Sequence, residues 1–189
     1  MGTQTATTTE SGIATLSIDP AHTQAEFEVK HMMFARVRGS FRSVEGTIHL
    51  APEDAIEDSR VEATIEAASI DTGQKERDEH LRSADFFGVE QYPELRFEST
   101  SVRRADDGDL LVTGDLTIRG ETREVELEVE ETGRGTDPWG NERIGFTATT
   151  KIDRREFGLE WNQALETGGV LVGHEIKITL EIQAVQEEG

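Results

Sequence analysis

The stretch HEIKITLEIQA, residues 174–184, sets Ile176, Ile178, Leu180, Ile182 and Ala184 at every second position, with Glu175, Lys177, Thr179, Glu181 and Gln183 between them. Side chains along an extended chain point alternately to opposite faces, so this spacing makes one apolar face and one wet face. A helix would need its apolar residues three and four apart. The stretch therefore reads as a half-buried antiparallel strand.

The same period recurs along the chain. AEFEVKH puts Ala25, Phe27, Val29 and His31 on one face, and VEGTIHL gives Val44, Gly46, Ile48 and Leu50. RVEATIEA gives Val61, Ala63, Ile65 and Ala67, and LLVTGDLTI gives Leu110, Val112, Gly114, Leu116 and Ile118. EVELEVE contributes Val125, Leu127 and Val129, and IGFTATTKI contributes Ile144, Phe146, Ala148, Thr150 and Ile152. With ELRFEST this makes eight strands, most joined by turn signals such as Asp107-Gly108 and Gly120. The fold class is all-β. Eight such strands suit an up-and-down antiparallel barrel better than a sandwich with open edges. A barrel of that size is either filled by side chains or holds one small ligand. Gly46, Ala63, Ala67, Gly114 and Ala148 on the inner face have two readings: they leave a cavity, or they relieve strand curvature.

Composition bounds the rest. A chain of 189 residues makes one domain, expected over 13–186, after a disordered lead at 1–12. No apolar run reaches the roughly 20 residues needed to span a membrane, so stable membrane insertion is not expected. The N-terminus lacks the basic and apolar regions of a signal peptide, which points to the cytoplasm. Without cysteine there is no disulfide, thiolate metal site or cysteine nucleophile. The 39 acidic against 19 basic residues give a net charge of −20, which repels nucleic acid and anionic headgroups.

One segment breaks the alternation: SIDTGQKERDEHLRSADFFGVEQYP, residues 69–93. Asp71 or Thr72 can cap a helix, with Gln74 as capping-box partner, and the helix is expected from Gly73 to Ser83. Arg77, His80, Leu81 and Ala84 share its inner face, while Lys75–Glu79 and Asp78–Arg82 can pair outside. Leu81, Phe86, Phe87 and Tyr92 give the segment an apolar underside that rests on the barrel. DRREFGLEWNQALETGGVLVGHE, residues 153–175, is a long loop too apolar for disorder, expected to fold over the barrel mouth.

Four stretches carry a resemblance. IDPAHTQAEFEVKHMMFARVRGSF (18–41), the segment 69–100, GDLTIRGETREVELEVE (114–130) and the segment 137–184 resemble the YceI-like, polyisoprenoid-binding, lipocalin-like proteins, in that family's order. The resemblance implies an eight-stranded barrel closed around an elongated pocket for a long-chain isoprenoid or related amphiphilic lipid. It is also compatible with a homodimer. The tail is then expected along the barrel axis, against Phe27, Val29, Val44, Ile48, Ile65, Phe97, Leu116, Phe146 and Ile178. His31, Phe34, His80, Leu81, Phe86, Phe87 and Trp161 complete the expected ligand-binding set. His31 has two readings, a polar anchor for a headgroup or a hydrogen-bonded core histidine. His80 is expected to hold the helical segment down.

No histidine pair has the helical spacing of a zinc site, and neither metal nor cofactor is expected. There is no G-x-S-x-G elbow, phosphate-cradling loop or dinucleotide fingerprint, so the chain is expected not to be an enzyme. The alternatives are a hydrolase using Asp71, Asp78 and Asp85 with His80, or a packed barrel serving as an interaction module.

Overall fold

The computed structural model describes residues 12–187. Residues 1–11 of the expected lead lie outside the described residues. The strand segments are β1 (Ala14–Ile18), β2 (Gln24–His31), β3 (Ala35–Phe41), β4 (Val44–Leu50), β5 (Arg60–Glu66) and β6 (Ile70–Asp71). They continue as β7 (Glu94–Arg104), β8 (Leu110–Ile118), β9 (Glu121–Thr136), β10 (Glu142–Asp153) and β11 (Val172–Gln186).

Eleven segments make eight strands. β1 and β2 are two halves of one strand, bent at Pro20–His22. β3 and β4 bend at Arg42 and Ser43, and β5 and β6 at the short turn Ala67–Ser69. The pairings fit this account: β1 pairs with β4 and β2 with β3, then β4 with β5 and β3 with β6. From β7 to β11 each strand pairs with the next, and β11 pairs back with β1 and β2. All pairings are antiparallel, and the ring closes into the eight-stranded barrel. Each strand read from the alternation is one of the eight. The unread segments β1, β3 and β6 are the other halves of the bent ones.

The inner glycines serve close approach rather than volume. A Cβ at Gly46 would run into the Glu62 carbonyl, and one at Gly114 into the Glu98 carbonyl and the Phe97 ring. The ring of Phe27 covers Gly39, its partner across β2 and β3, in the same way. A flat aromatic laid over a glycine lets the sheet curve without opening a hole in the wall.

Both barrel ends are covered. At one end the turn Glu53–Asp58 buries Ile56 among Val102, Leu110, Val112 and Leu127. The other end lies under helix α1 (Lys75–Arg82), the segment 83–93 and the loop 154–171. Phe86, Phe157 and Leu159 drop from these covers into the main core beside Phe41, Leu95 and Ile118. Arg119, in the β8–β9 turn, ties the two covers together by donating to the carbonyls of Phe86 (2.8 Å) and Gly158 (3.4 Å).

The helix is shorter than expected and capped differently. Gln74 stands at its N-cap with no side-chain capping bond. Asp78 reaches back from inside the helix and accepts from the Thr72 N–H (2.9 Å) and the Thr72 hydroxyl. The expected Asp78–Arg82 ion pair is therefore absent. Asp78 is buried, and Arg82 donates instead to the carbonyls of Ala68 and Ile70. The Lys75–Glu79 pair does form, at 3.9 Å on the exposed face.

Candidate functional site

The inward faces of the strands enclose a cavity of about 240 Å³ along the barrel. Near the Glu53–Asp58 end its wall includes Leu50, Val61, Val102 and Leu110; near the α1 end it includes Phe86, Ile152 and Leu159. Period-two alternation is the cause: each strand sends every second side chain inward, and those side chains are nearly all aliphatic or aromatic.

Of the expected binding residues, Phe27, Val29, Val44, Ile48, Ile65, Leu81, Phe86, Phe87, Phe97, Leu116, Phe146 and Ile178 all line this cavity. His31, Phe34, His80 and Trp161 do not. His31 ends β2, half-buried opposite Ala35 and Val172, above the cavity's rim. Phe34 corrects the expectation most plainly, being 81% exposed. Met32 and Met33 adopt left-handed φ of 54° and 70°, so alternation stops at His31 and the chain turns out into solvent. His80 and Trp161 form a second layer behind the wall. Their rings meet edge-on at 4.7 Å, and both pack against Phe86. His80 Nε2 also faces Asp85 at 2.9 Å, which ties α1 to the segment that follows it.

Sequence reading missed Arg154. The inward set of β10 runs Ile144, Phe146, Ala148, Thr150, Ile152, and Arg154 is the next even position. It lies in the turn just beyond the strand, 3% exposed, and touches the cavity. It donates from Nε to the Gly173 carbonyl (2.8 Å), from Nη1 to Leu159 (2.6 Å) and Trp161 (2.9 Å), and from Nη2 to Val172 (3.1 Å). The neighbouring Asp153 carboxylate is taken by Arg155. A cation held only by carbonyl dipoles is poorly compensated, and burial lowers the Arg154 pKa from its ordinary value. Glu26, Arg60 and Arg96 also border the cavity but are exposed residues, so Arg154 is the buried charge of its wall.

Each acid proposed for hydrolysis has a partner of its own. Asp71 accepts from the Gly73 N–H and pairs with Arg42, Asp78 is committed to Thr72, and Asp85 faces His80. Among the described residues no group of histidines and carboxylates is placed to hold a metal ion.

The barrel and its cavity have known counterparts. The family model of the YceI-like domain matches residues 16–184. The chain belongs to the YceI family. Protein YceI of Escherichia coli strain UMN026 is 36% identical over 167 residues, covering 88% of this chain and 83% of its own. The crystal structure of Burkholderia cenocepacia BcnA superposes with a TM-score of 0.76 at 23% identity, over 88% of this chain and 98% of that one. A polyisoprenoid binding domain from Saccharophagus degradans, implicated in plant cell wall breakdown, superposes with a TM-score of 0.66 at 14% identity. That match covers 93% of this chain and 99% of the domain. At such identities the two structures share the YceI barrel fold with this chain.

Proposed function

We propose that this YceI-family chain binds and carries a long-chain isoprenoid or similar amphiphilic lipid inside the barrel, without chemistry on it. The observation that carries this reading is the cavity: elongated, walled by carbon, and capped at both ends. The polyisoprenoid-binding description of the Saccharophagus domain with the same fold supports it. Each buried methylene adds roughly 0.8 kcal/mol, so a chain of many methylenes gains more than the ordering of its bonds costs. The polar head lies at the α1 end, where Arg154 is the buried charge of the wall.

Mass spectrometry of organic extracts from gently purified protein tests this directly. A long-chain apolar lipid is expected, and stripping it should lower the melting temperature. A ligand that binds only the folded barrel stabilises by about 2.7 kcal/mol at a hundredfold excess over Kd. Prenyl alcohols of increasing length should raise the melting point until the chain outgrows the end under Glu53–Asp58. No extracted lipid, together with a melting curve that no prenyl chain moves, would favour the packed interaction module instead.

A further inference from the structure

The tip of the β2–β3 hairpin is apolar, exposed and basic on a protein that is otherwise strongly acidic. Met32, Met33 and Phe34 are 41%, 56% and 81% exposed, three of the four large hydrophobic side chains open to solvent among the described residues. They lie within residues 29–44, VKHMMFARVRGSFRSV, which contain Lys30, Arg36, Arg38 and Arg42 and no acidic residue. In a chain of 39 acids against 19 bases, that run is locally reversed. The carboxylates that reach it are few. Arg36 and Arg38 share Glu28, Arg42 pairs with Asp71, and the exposed Lys30 forms no ion pair among the described residues. The neighbouring loop 154–171 adds three exposed glutamates, Glu156, Glu160 and Glu166.

The tip also continues the cavity wall. Val29 and Val172 line the cavity, His31 pairs with Val172, and Met32 N–H donates to the Leu171 carbonyl at 2.8 Å. Met33 packs over Gly169 in the same loop. An apolar wedge flanked by cations is the chemistry that inserts shallowly into a bilayer bearing anionic headgroups. We propose that this hairpin tip docks the barrel on an anionic lipid surface, with the loop-covered end of the cavity facing the membrane. The net charge of −20 opposes such a bilayer at long range, so docking depends on the local reversal at the tip. The fourth exposed hydrophobe, Trp139, is also 81% exposed but stands at the opposite end, in the β9–β10 turn beside Asp137 and Glu142. It serves as the internal control.

The docking surface is separate from what the barrel holds, and vesicle co-sedimentation of the as-purified protein needs no knowledge of the cargo. Binding is expected to vesicles of equimolar phosphatidylcholine and phosphatidylglycerol, and to be weaker on phosphatidylcholine alone. Phe34→Glu should weaken it roughly ten-fold or more, the value of an apolar side chain withdrawn from the interface, and Phe34→Ala by less. Lys30→Glu should erase the preference for the anionic vesicles, and Trp139→Glu should change nothing. Melting curves of all four variants should overlay the parent, since each position is exposed. The proposal is overturned if the parent stays in solution with both vesicle types, or if Phe34→Glu and Trp139→Glu bind alike. It is equally overturned if Phe34→Glu acts by dissociating a dimer, since the tip would then seat a second copy.

Discussion

Strand β10 has an arginine at each end, and the two are held in opposite ways. Arg143 lies between two carboxylates, with Nη1 2.7 Å from Asp19, Nε 2.8 Å from Asp137, and a further bond to Gln183. Arg154 is buried and donates only to backbone carbonyls. Strand parity decides between them. Odd positions of β10 face outward, where carboxylates of adjoining turns and strands can meet a cation. Even positions face inward, where only backbone dipoles are at hand. The outer latch is made of groups that titrate in acid. The inner clamp is not.

Replacing Arg154 should have the largest effect. Arg154→Leu strips the carbonyls of Leu159, Trp161, Val172 and Gly173 of their donor and releases the loop cover, at an expected cost of about 3–5 kcal/mol in urea unfolding. Arg154→Lys should recover only part of it, because an ammonium lacks the planar fork that reaches four acceptors. A loss under about 1 kcal/mol would show that water substitutes for the clamp and would dissolve the contrast.

Arg143→Gln should do less, because Asp19 and Asp137 keep their backbone donors from Ala21, Trp139 and Asn141. Its signature is pH dependence. The Arg143 hydrogen bond is the main cause holding the Asp19 carboxyl down to about 2, and it holds Asp137 lower still. With the folded pKa depressed, the unfolded chain takes up the proton first. The stability these carboxylates add is therefore complete above the ordinary carboxylate range, near about 4, and is lost as pH falls toward the folded values. Melting temperature should drop over that acid window in the parent and drop less steeply in Arg143→Gln. Arg154→Leu should keep the parent's slope. Parallel slopes for the parent and Arg143→Gln would break the comparison. The smallest effect belongs to Lys151, the third cation of β10, 3.9 Å from Glu175 with both side chains mostly exposed. Lys151→Ala should stay within about 0.5 kcal/mol by thermal melting.

Alternation made eight strands legible because each has at least one half with large apolar residues on the inward parity. β3 was missed because its inward positions from Ala35 to Gly39 include only Val37 as a branched aliphatic, so its period is nearly silent. β6 is two residues long, and β1 abuts a stretch without pattern. At the cavity, residues on long alternating strands were readable because register fixes their direction. Residues in turns were not. Phe34 neighbours the inward-facing His31 in sequence, but two methionines turn the chain between them. Arg154 was overlooked although parity alone put it inside, since a cation in the run DRREF looks solvated. Asp78 was given to a surface ion pair because helical spacing shows possible neighbours but not the backbone N–H that claims the carboxylate first.

The barrel closes through β11, which pairs with both halves of the first strand, and Ser17 donates to Glu187 across 170 positions. β11 leaves the ribosome after every other strand. Hairpins between sequence neighbours can assemble earlier, but the seam waits for the final segment, and contacts so distant in sequence make closure the slow, late event of folding. Before that moment there is an open, curled sheet and no container. A cargo of the kind proposed would have no cavity to enter until that seam has formed.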